Sequence, residues 1–408
     1  HGHDAFLMEY EQLEKMIAPI FNKEYNSKKM KVIKFGGKSL ANGKGIENAI
    51  EIILGKYKNS EKITVVASAR GNTTDALEAL LERAANKEEY KTTFEDLKEY
   101  QLEPNANVDL SKEFSTLETI LEGVSLLGDY STKIKDVVLA QGELLAAKLV
   151  ASLLLKEGIE ANVTDTRSLI VTDDNFGNAQ PIHPISKANI VTYFKRNAAV
   201  LNIVTGFIAA NKNGETTTLG RNGSNYTAAL LANYLEAEEL QNYTHVSGIF
   251  TANPDLVADA KKIEQLSFSE ANELANFGTT ILHAKTITPL LEKNISLRIL
   301  NTFNKKDTGT LITATSSEKG IKSISTISNV SLLNFEGRGL LGKVGVDARI
   351  FRVLSDKNIN VSIVSQGSSE RGIGLIIESN RASEAVLALE KEFESDFYAR
   401  DVHQISII

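Results

Sequence analysis

A lysine and two glycines at the end of a short apolar stretch could hold a phosphoryl group. Lys34 precedes Gly36 and Gly37 in the run V-I-K-F-G-G-K-S. The apolar residues predict a buried strand over residues 31–35, and the glycines allow a sharp turn with uncovered N–H groups. A helical pattern follows over residues 45–54, so the turn would lie at a helix N-terminus, where anions bind. The Walker pattern is absent, and a tight βα turn with a surface lysine is the alternative.

Three further segments carry side chains that could bind a substrate. Arg221 lies in a second glycine turn, T-L-G-R-N-G-S-N-Y-T, before a helix predicted over residues 228–235. A guanidinium there could hold a carboxylate or phosphate through two parallel hydrogen bonds. Glu143 precedes an apolar helix predicted over residues 144–155, where it could instead complement the helix dipole. A hydroxyl-rich loop, S-A-R-G-N-T-T-D, begins at Ser68.

Alternating strands and helices must position these side chains. Apolar runs predict strands over residues 31–35, 63–67, 161–164, 198–206, 241–249 and 296–301. The alternation predicts an α/β domain with a mainly parallel sheet over residues 31–315. Ligands would then bind at the carboxyl ends of the strands, where both glycine turns lie. Residues 87–136 form a charged, helical insertion without recognisable chemistry.

From residue 321 the pattern of elements changes. Strands are predicted over residues 321–325, 330–336, 359–365, 372–378 and 402–408, and helices over residues 346–357 and 382–393. The core order β-α-β-β-α-β predicts a ferredoxin-like α+β domain over residues 316–408. The G-x-G-x-x-G run at residues 337–342 is not read as a dinucleotide site, because no acidic residue ends the next strand. Residues 1–30 comprise a tag remnant and an accessory helix over residues 5–21.

Composition excludes several functional classes. The 408 residues suggest two or three domains, and the net charge of −7 argues against nucleic acid as the main partner. The sequence has no cysteine, which excludes a disulfide framework, a thiol nucleophile and a zinc–cysteine site. No apolar run reaches the roughly 18 residues of a membrane span, and no signal-peptide pattern is present. We therefore expect a cytoplasmic protein without a membrane partner.

Taken together, these segments resemble the aspartokinase family, within the amino-acid kinase fold. The resemblance runs from about residue 31 to the C-terminus and is closest to the kinase part of bifunctional aspartokinase–homoserine dehydrogenases. The motifs that carry it are K-F-G-G (34–37), S-A (68–69) with Thr74, G-E (142–143), L-G-R-N-G-S (219–224), L-S-F-S-E-A (266–271), F-G (277–278), I-L-H (281–283) and T-I-T-P (286–289). The C-terminal region resembles ACT regulatory domains, with V-S-Q-G-S-S-E at residues 364–370.

The resemblance implies transfer of the ATP γ-phosphoryl group, with Mg²⁺, to the side-chain carboxylate of L-aspartate. This reaction would be the first step toward lysine, threonine and methionine. An aspartate carboxylate has a pKa of about 4, so it is a nucleophile at neutral pH without a general base. Catalysis then consists of positioning and of neutralising phosphoryl charge.

The resemblance also assigns roles to particular residues. Catalytic roles fall on Lys34, on the N–H groups of Gly36 and Gly37, and on Asn225. Contacts with aspartate fall on Ser68, Thr74, Glu143 for its ammonium, and Arg221 for its carboxylate. Contacts with the nucleotide fall on Lys34, Thr244, His245, Gly248 and Thr280. No protein side chain is predicted to ligate a metal directly.

Several of these positions depart from the family pattern. The family usually has threonine at Lys38, arginine at Gln141, aspartate at Asn225, His245 and Ser247, lysine at Thr280 and proline at Ala284. The residues assigned to aspartate therefore match the family pattern better than the residues assigned to the nucleotide do. We expect a site that binds aspartate but phosphorylates it poorly.

The ACT-like region implies feedback by an amino acid. By resemblance, lysine or threonine would contact Gly339, Gly342, Ser365, Gln366 and Ser368 at a homodimer or higher interface. Residues 321–325 and 403–408 look like strands of a second, incomplete ACT unit. The full-length protein is therefore expected to continue, into a homoserine dehydrogenase domain by the same resemblance.

Three functions remain open from the sequence. The first is an active aspartokinase, and the second is a weak or inactive kinase-fold domain that binds amino acids and regulates a fused or partner enzyme. The third is another amino-acid kinase, such as one that acts on glutamate. The ACT-like region and residues 266–289 disfavour the third.

Overall fold

The computed structural model describes residues 29–104, 107–276, 283–316, 320–336, 344–366, 372–393 and 398–403. The chain divides into two compact units, and the second contains the residues from Ser323 onward. The helix predicted over residues 5–21 lies outside the described residues. The division into 1–30, 31–315 and 316–408 remains a prediction.

The first unit is an α/β unit with eleven described strands and nine described α-helices. Its strands are β1 (Lys31–Phe35), β2 (Ile63–Ala67), β3 (Ala161–Thr164), β4 (Val171–Thr172), β5 (Leu201–Thr205), β6 (Ile208–Asn211), β7 (Thr216–Thr218), β8 (Glu239–Thr244), β9 (Gln265–Ser267), β10 (Ser296–Asn301) and β11 (Thr310–Thr313). Its helices are α1 (Lys44–Lys58), α2 (Thr73–Ala85), α3 (Lys91–Leu102), α4 (Ser111–Leu127), α5 (Thr132–Lys156), α6 (His183–Arg196), α7 (Gly223–Tyr234), α8 (Phe268–Asn276) and α9 (Ala284–Lys293).

An eight-stranded sheet in the order β3-β5-β2-β1-β8-β10-β11-β9 forms the centre of this unit. All its pairings are parallel except β10 with β11. Strands β4, β6 and β7 form a separate three-stranded sheet in the order β4-β6-β7. The carboxyl ends of β1, β2, β5 and β8 therefore share one edge, as the sequence predicted for a mainly parallel sheet.

Alternation along β1 divides the core of the first unit into two layers. Ile33 and Phe35 pack in a cluster with residues of α1 and α5, whereas Val32 packs in a cluster with residues of α7. Helix α5 is long and apolar enough to cross a membrane by length and composition, but 72% of its most apolar 18-residue window is buried. That burial is typical of a core helix.

The helical insertion after α2 is compact in its own right. Leu77 and Leu81 of α2 pack with Phe94 of α3 and with Leu117 and Leu121 of α4 in one buried cluster. Burying such side chains contributes about 1.5–3 kcal/mol each. The insertion is thus a small helical layer joined to α2 and α5.

The second unit has the ferredoxin-like order of elements. Its elements are β12 (Val330–Glu336), α10 (Val346–Asp356), β13 (Ile363–Gln366), β14 (Gly372–Glu378), α11 (Ala382–Glu392) and β15 (Tyr398–His403). The strands form an antiparallel sheet in the order β13-β14-β12-β15, and Leu333, Ile350 and Leu389 are among its core residues. The β-α-β-β-α-β prediction is confirmed.

Two predictions in the second unit are wrong. Residues 321–325 form no strand. The last described strand is Tyr398–His403, and it pairs with β12 of the same sheet. His403 therefore belongs to the first ACT-like sheet and not to a second one. Residues 404–408 lie outside the described residues.

Candidate active site

Most of the predicted substrate and catalytic residues line one cleft at the carboxyl edge of the central sheet. The cleft has a volume of about 840 Å³. The predicted residues that line it are Lys34, Gly37, Ser68, Thr74, Glu143, Arg221 and Asn225. Both glycine turns border the same cavity, since Gly220 lines it as well. The predicted placement of the two turns at one cleft is confirmed.

Lys34 supplies the buried positive charge of the cleft. It lies on β1 between β2 and β8, and its side chain is 8% exposed. Burial lowers the pKa of Lys34 to about 8, against the opposing effect of the Glu143 carboxylate. A Cβ at Gly36 would lie 3.3 Å from Lys34 Nζ, so glycine gives the ammonium room beside the turn. An anionic ligand would restore the pKa and fix the charge.

Glu143 supplies a buried carboxylate that is only half satisfied. Its Oε1 accepts a hydrogen bond from the Ala69 N–H at 3.1 Å. Its Oε2 is buried without a partner among the described residues. Burial raises the pKa of Glu143 to about 8, while the Ala69 hydrogen bond and the Lys34 charge lower it. A ligand ammonium at Oε2 would complete the hydrogen bonds of this side chain.

Glu143 lies in the middle of a helix and not at its start. Helix α5 runs without interruption from Thr132 to Lys156, so the predicted helix start at residue 144 is wrong, and with it the alternative role of Glu143 as a partner of the helix dipole. Gly142 permits a close approach here, because a Cβ on it would lie 2.9 Å from Ala69 Cβ. The glycine brings the helix against the Ser68 loop, which places Glu143 beside the Ala69 N–H.

Arg221 projects from the second glycine turn. Its side chain is exposed and makes no hydrogen bond or ion pair in the described parts of the chain. Gly220, with φ +74°, has left-handed backbone, and a Cβ there would lie 2.6 Å from Asn178 Oδ1. The turn ends at Gly223, where α7 begins. The guanidinium is thus a free double donor at the border of the cleft.

Asn225 lies in the first turn of α7 and faces the cleft. Its side chain is 9% exposed, and its Oδ1 is buried with no hydrogen-bond partner among the residues described. A neutral amide oxygen of this kind can accept a hydrogen bond or contact a cation. It cannot supply the charge of a carboxylate.

Asp136 is a cleft residue that the sequence did not indicate. Its buried carboxylate accepts hydrogen bonds from Gly177 N at 2.9 Å, Thr218 N at 3.0 Å and Thr218 Oγ1 at 2.8 Å. Burial raises the pKa of Asp136, and these hydrogen bonds oppose that rise. The carboxylate holds the end of β7, from which the Arg221 turn begins. These partners are 41 and 82 residues away, so no local pattern could reveal them.

Three of the predicted nucleotide residues, Thr244, His245 and Gly248, lie at or just after the end of β8, outside the lining of that cleft, whereas Lys34 lines it. Thr244 Oγ1 is 3.3 Å from His245 Nδ1, and Ser247 Oγ accepts a hydrogen bond from Asn301 at 3.0 Å. Burial and the charge of Lys38 lower the pKa of His245, which favours a neutral imidazole.

A close backbone approach follows His245. Gly248 has φ +123°, and a Cβ there would lie 2.5 Å from Thr310 Oγ1. Only glycine fits at this position without displacing a neighbour. Thr280 lies outside the described residues, as do Gly339, Gly342 and Ser368 of the predicted regulatory set, whereas Ser365 and Gln366 lie on β13.

Known protein families match both units. A family model described as the amino acid kinase family matches residues 29–301, and a model described as an ACT domain matches residues 333–393. Among curated proteins, the chain is 30% identical over 397 residues to the bifunctional aspartokinase/homoserine dehydrogenase 2 of Arabidopsis thaliana. That match covers 92% of this chain but 43% of the relative, so the chain spans less than half of its length.

Solved structures give the same result. The chain is similar to E. coli aspartokinase III in complex with aspartate and ADP, with 26% identity and a TM-score of 0.78. The match covers 91% of this chain and 85% of that one. A structure of the same enzyme in complex with lysine and aspartate has a TM-score of 0.76 with the same coverage and identity.

Proposed function

The chain belongs to the amino acid kinase family, and from this premise we propose that it transfers the γ-phosphoryl group of ATP to the side-chain carboxylate of L-aspartate. The observation that carries the proposal is the pairing, in one cleft, of a half-satisfied Glu143 with an unpaired Arg221. An α-amino acid presents an ammonium and a carboxylate, which these two groups complement. The similar E. coli enzyme was solved with aspartate and ADP bound.

The proposed reaction requires the protein to position the two substrates and to neutralise the charge of the phosphoryl group. The substrate carboxylate is ionised at neutral pH, since its pKa is about 4, so no general base is needed. In the proposed reaction the carboxylate oxygen attacks the γ-phosphorus, and the bond to the ADP oxygen breaks. Lys34 neutralises the charge of the transferred group, and the N–H groups of Gly36 and Gly37 bind its oxygens. Ser68 and Thr74 line the aspartate side.

The nucleotide would lie at the end of β8, against Thr244, His245, Gly248 and Thr280. Among the described residues, no three His, Asp or Glu side chains group as a metal site. Magnesium in kinases is held largely by phosphate oxygens and water. Asn225 Oδ1, which has no partner, is the protein oxygen that fits a contact with such an ion. The ion would neutralise charge on the phosphates.

A weaker kinase is the second candidate function. The observation that favours it is that Asn225 in the cleft, and His245 and Ser247 after β8, cannot carry the negative charge of the aspartates that the family usually has at these positions. A site that organises the metal–nucleotide complex poorly would bind aspartate and turn over slowly. Such a domain could regulate a fused or partner enzyme through amino-acid binding.

Formation of aspartyl phosphate, trapped with hydroxylamine at saturating ATP and Mg²⁺, separates the candidates. An aspartate-dependent hydroxamate supports a kinase, and Lys34→Met is the matched inactive control. Turnover of roughly 1–1000 per second would exclude the weak-kinase proposal. No product, together with measurable aspartate binding, would favour the regulatory domain. Product from glutamate in place of aspartate would change the substrate assignment.

We also propose regulation through the ACT-like unit. Lysine or threonine would bind at a homodimer interface, with Ser365, Gln366 and the loop residues Gly339, Gly342 and Ser368 as contacts. The support is the ACT-domain match and the lysine complex of the similar E. coli enzyme. Continuation into a homoserine dehydrogenase and a cytoplasmic location remain proposals. Light scattering with and without lysine or threonine tests the proposed regulation. A strict monomer whose melting temperature neither amino acid changes would contradict it.

A further inference from the structure

Arg70 is a fully buried arginine in the loop between β2 and α2. Its Nε donates to the Leu40 carbonyl oxygen at 3.1 Å, and its Nη1 donates to Gln101 Oε1 at 3.0 Å. Nη1 also donates to the carbonyl oxygens of Gln101 and Tyr100 at 3.3 and 3.4 Å. The guanidinium carbon lies 5.0 Å from the centre of the Tyr100 ring. Arg70 thus joins the turn after the first glycines to the end of α3.

Stability alone does not explain this arginine. No ion pair joins Arg70 to a carboxylate in the described segments, and its Nη2 has no partner there. Burial lowers the pKa of Arg70 to about 10, although the charge of Glu103 raises it, so the guanidinium is still charged at pH 7. Burying a guanidinium without a direct ion pair is costly in desolvation. The hydrogen bonds must therefore be explained by what they hold in place.

The Arg70 loop contacts both sides of the cleft through its backbone. The Gly71 N–H donates to the Gly37 carbonyl oxygen at 2.8 Å, and the Ala69 N–H donates to Glu143 Oε1 at 3.1 Å. A Cβ at Gly37 would lie 2.8 Å from the Gly71 oxygen, so loop and turn are in close contact. Any movement of the loop would displace the phosphate turn.

The end of helix α3 in the insertion is hydrogen-bonded to the segments before and after the Arg70 loop. Gln101 Nε2 donates to Thr73 Oγ1 at 2.7 Å, and Thr73 is the first residue of α2. Asn42 Nδ2, after the glycine turn, donates to the Tyr100 carbonyl oxygen at 3.2 Å. The last turn of α3 therefore bonds to residues on both sides of the Arg70 loop.

We propose that Arg70 is a positioning residue, which uses α3 to fix the turn of Gly36 to Leu40 for the nucleotide phosphates. This inference rests on the proposed kinase function and gives the helical insertion a role in it. The Arg70 side chain bonds directly to Leu40 of the glycine turn, whereas Glu143 is carried by α5 and is reached only through the Ala69 backbone, so the two ligands should respond differently. Loss of the guanidinium should weaken nucleotide binding and leave aspartate binding nearly unchanged.

The test compares Arg70→Met with the matched control Arg83→Met. Methionine keeps much of the apolar stem of Arg70 and removes every donor. Arg83 lies on the neighbouring α2, where its Nη1 donates to the exposed Glu89 carbonyl oxygen. Calorimetric titrations with MgADP and with aspartate, a thermal melt, and hydrogen exchange of residues 37–41 are measured on each protein.

For Arg70→Met we expect MgADP binding about tenfold weaker, which is about 1.4 kcal/mol. Aspartate affinity should stay within about twofold, a change below 0.5 kcal/mol. Exchange of residues 37–41 should become faster, and the melting temperature should fall, because the Leu40, Tyr100 and Gln101 oxygens lose their donor. Equal weakening of both ligands would mark Arg70 as merely structural. Unchanged MgADP affinity would also overturn the proposal.

Two outcomes need a second readout. If Arg70→Met does not fold, Gln101→Leu is measured instead, because it removes the hydrogen bonds of Gln101 to Arg70 and Thr73. It should weaken MgADP binding by a smaller factor and leave aspartate binding nearly unchanged. Equal weakening of both ligands would overturn the proposal. If the parent protein binds no MgADP, the proposed kinase function fails. Hydrogen exchange then decides alone, because unchanged exchange of residues 37–41 in Arg70→Met would contradict the positioning role.

Discussion

The proposed amino-acid side of the site and its proposed nucleotide side are built differently. The amino-acid side combines the buried Lys34 and Glu143 with a free Arg221 in one cleft. The nucleotide side, at the end of β8, presents the hydroxyls of Thr244 and Ser247 and an imidazole, His245, whose pKa is lowered. The first has polar groups, Glu143 Oε2 and the Arg221 guanidinium, that have no partner among the described residues and could bind an amino acid. The second has polar groups that already partly satisfy one another, so specificity should come mainly from the amino-acid side.

The largest effect is expected at Lys34, which belongs to both sides. Replacing Lys34 by methionine removes the ammonium that neutralises the phosphoryl group in the proposed reaction. Loss of one preorganised charge of this kind costs on the order of 100- to 1000-fold in rate. The hydroxamate assay measures this loss. Lys31→Met on the same strand is the control, and an equal loss in both variants would remove Lys34 from the chemistry.

A gain of function on the nucleotide side should come next in size. The triple variant Asn225→Asp, Ser247→Asp and Thr280→Lys restores two negative charges and one positive charge. Because each lost contact costs up to about a hundredfold, but losses in one constellation need not add, the rate should rise by roughly tenfold to a hundredfold. Initial rates at saturating ATP and Mg²⁺ test this. An unchanged rate would mean that Lys38 or other groups already compensate.

A smaller effect is expected when the carboxylate contact of the amino-acid side is lost. Arg221→Ala should weaken aspartate binding at least tenfold, since a hydrogen bond to a charged group contributes about 1.5 kcal/mol at an exposed side chain such as Arg221. MgADP affinity should change little in the same variant. Arg196→Ala, an exposed arginine of α6, serves as the control in calorimetric titrations. Equal aspartate affinity in the parent and Arg221→Ala would remove Arg221 from the site.

The smallest effect is expected from the support of the Arg221 turn. Asp136→Ala leaves the Thr218 and Gly177 N–H groups without their acceptor, at about 1–3 kcal/mol of folding stability. Aspartate affinity should fall severalfold because the turn loses its anchor. A denaturant titration and a calorimetric titration give the two values. Unchanged values in both would show that the carboxylate does not hold the turn.

The sequence predicted the strands better than the helices. Strands β1, β2, β3, β10, β12 and β14 have the predicted bounds, since their apolar runs end at glycine or polar residues. Helix α6 was not predicted, because it begins with His183-Pro184 and buries only Ser186, Ile190 and Phe194. The short strand β7, three threonines, carries no apolar pattern at all.

In the candidate site, too, local sequence patterns identified some residues and missed others. Lys34, Glu143 and Arg221 were found because they lie in motifs with a recognisable order. Arg70 and Asp136 were not, because their roles depend on partners brought close by the fold. The sequence placed Gly142 before the helix predicted over residues 144–155. It lies instead inside α5, where the missing side chain allows close contact with Ala69. Local patterns give residue types, but they do not show which long-range contact a residue makes.

The most direct test of the central claim is the number of protons released when aspartate binds. Glu143, whose pKa burial raises to about 8, is protonated at pH 7 in the free protein, and it must ionise to meet the substrate ammonium. Calorimetry in buffers of different ionisation enthalpy should therefore show about one proton released per aspartate at pH 7. Affinity should rise from pH 6 to pH 8 and then level off, and Glu143→Gln should abolish both effects. Aspartate binding without proton release, or the same release in Glu143→Gln, would contradict the account.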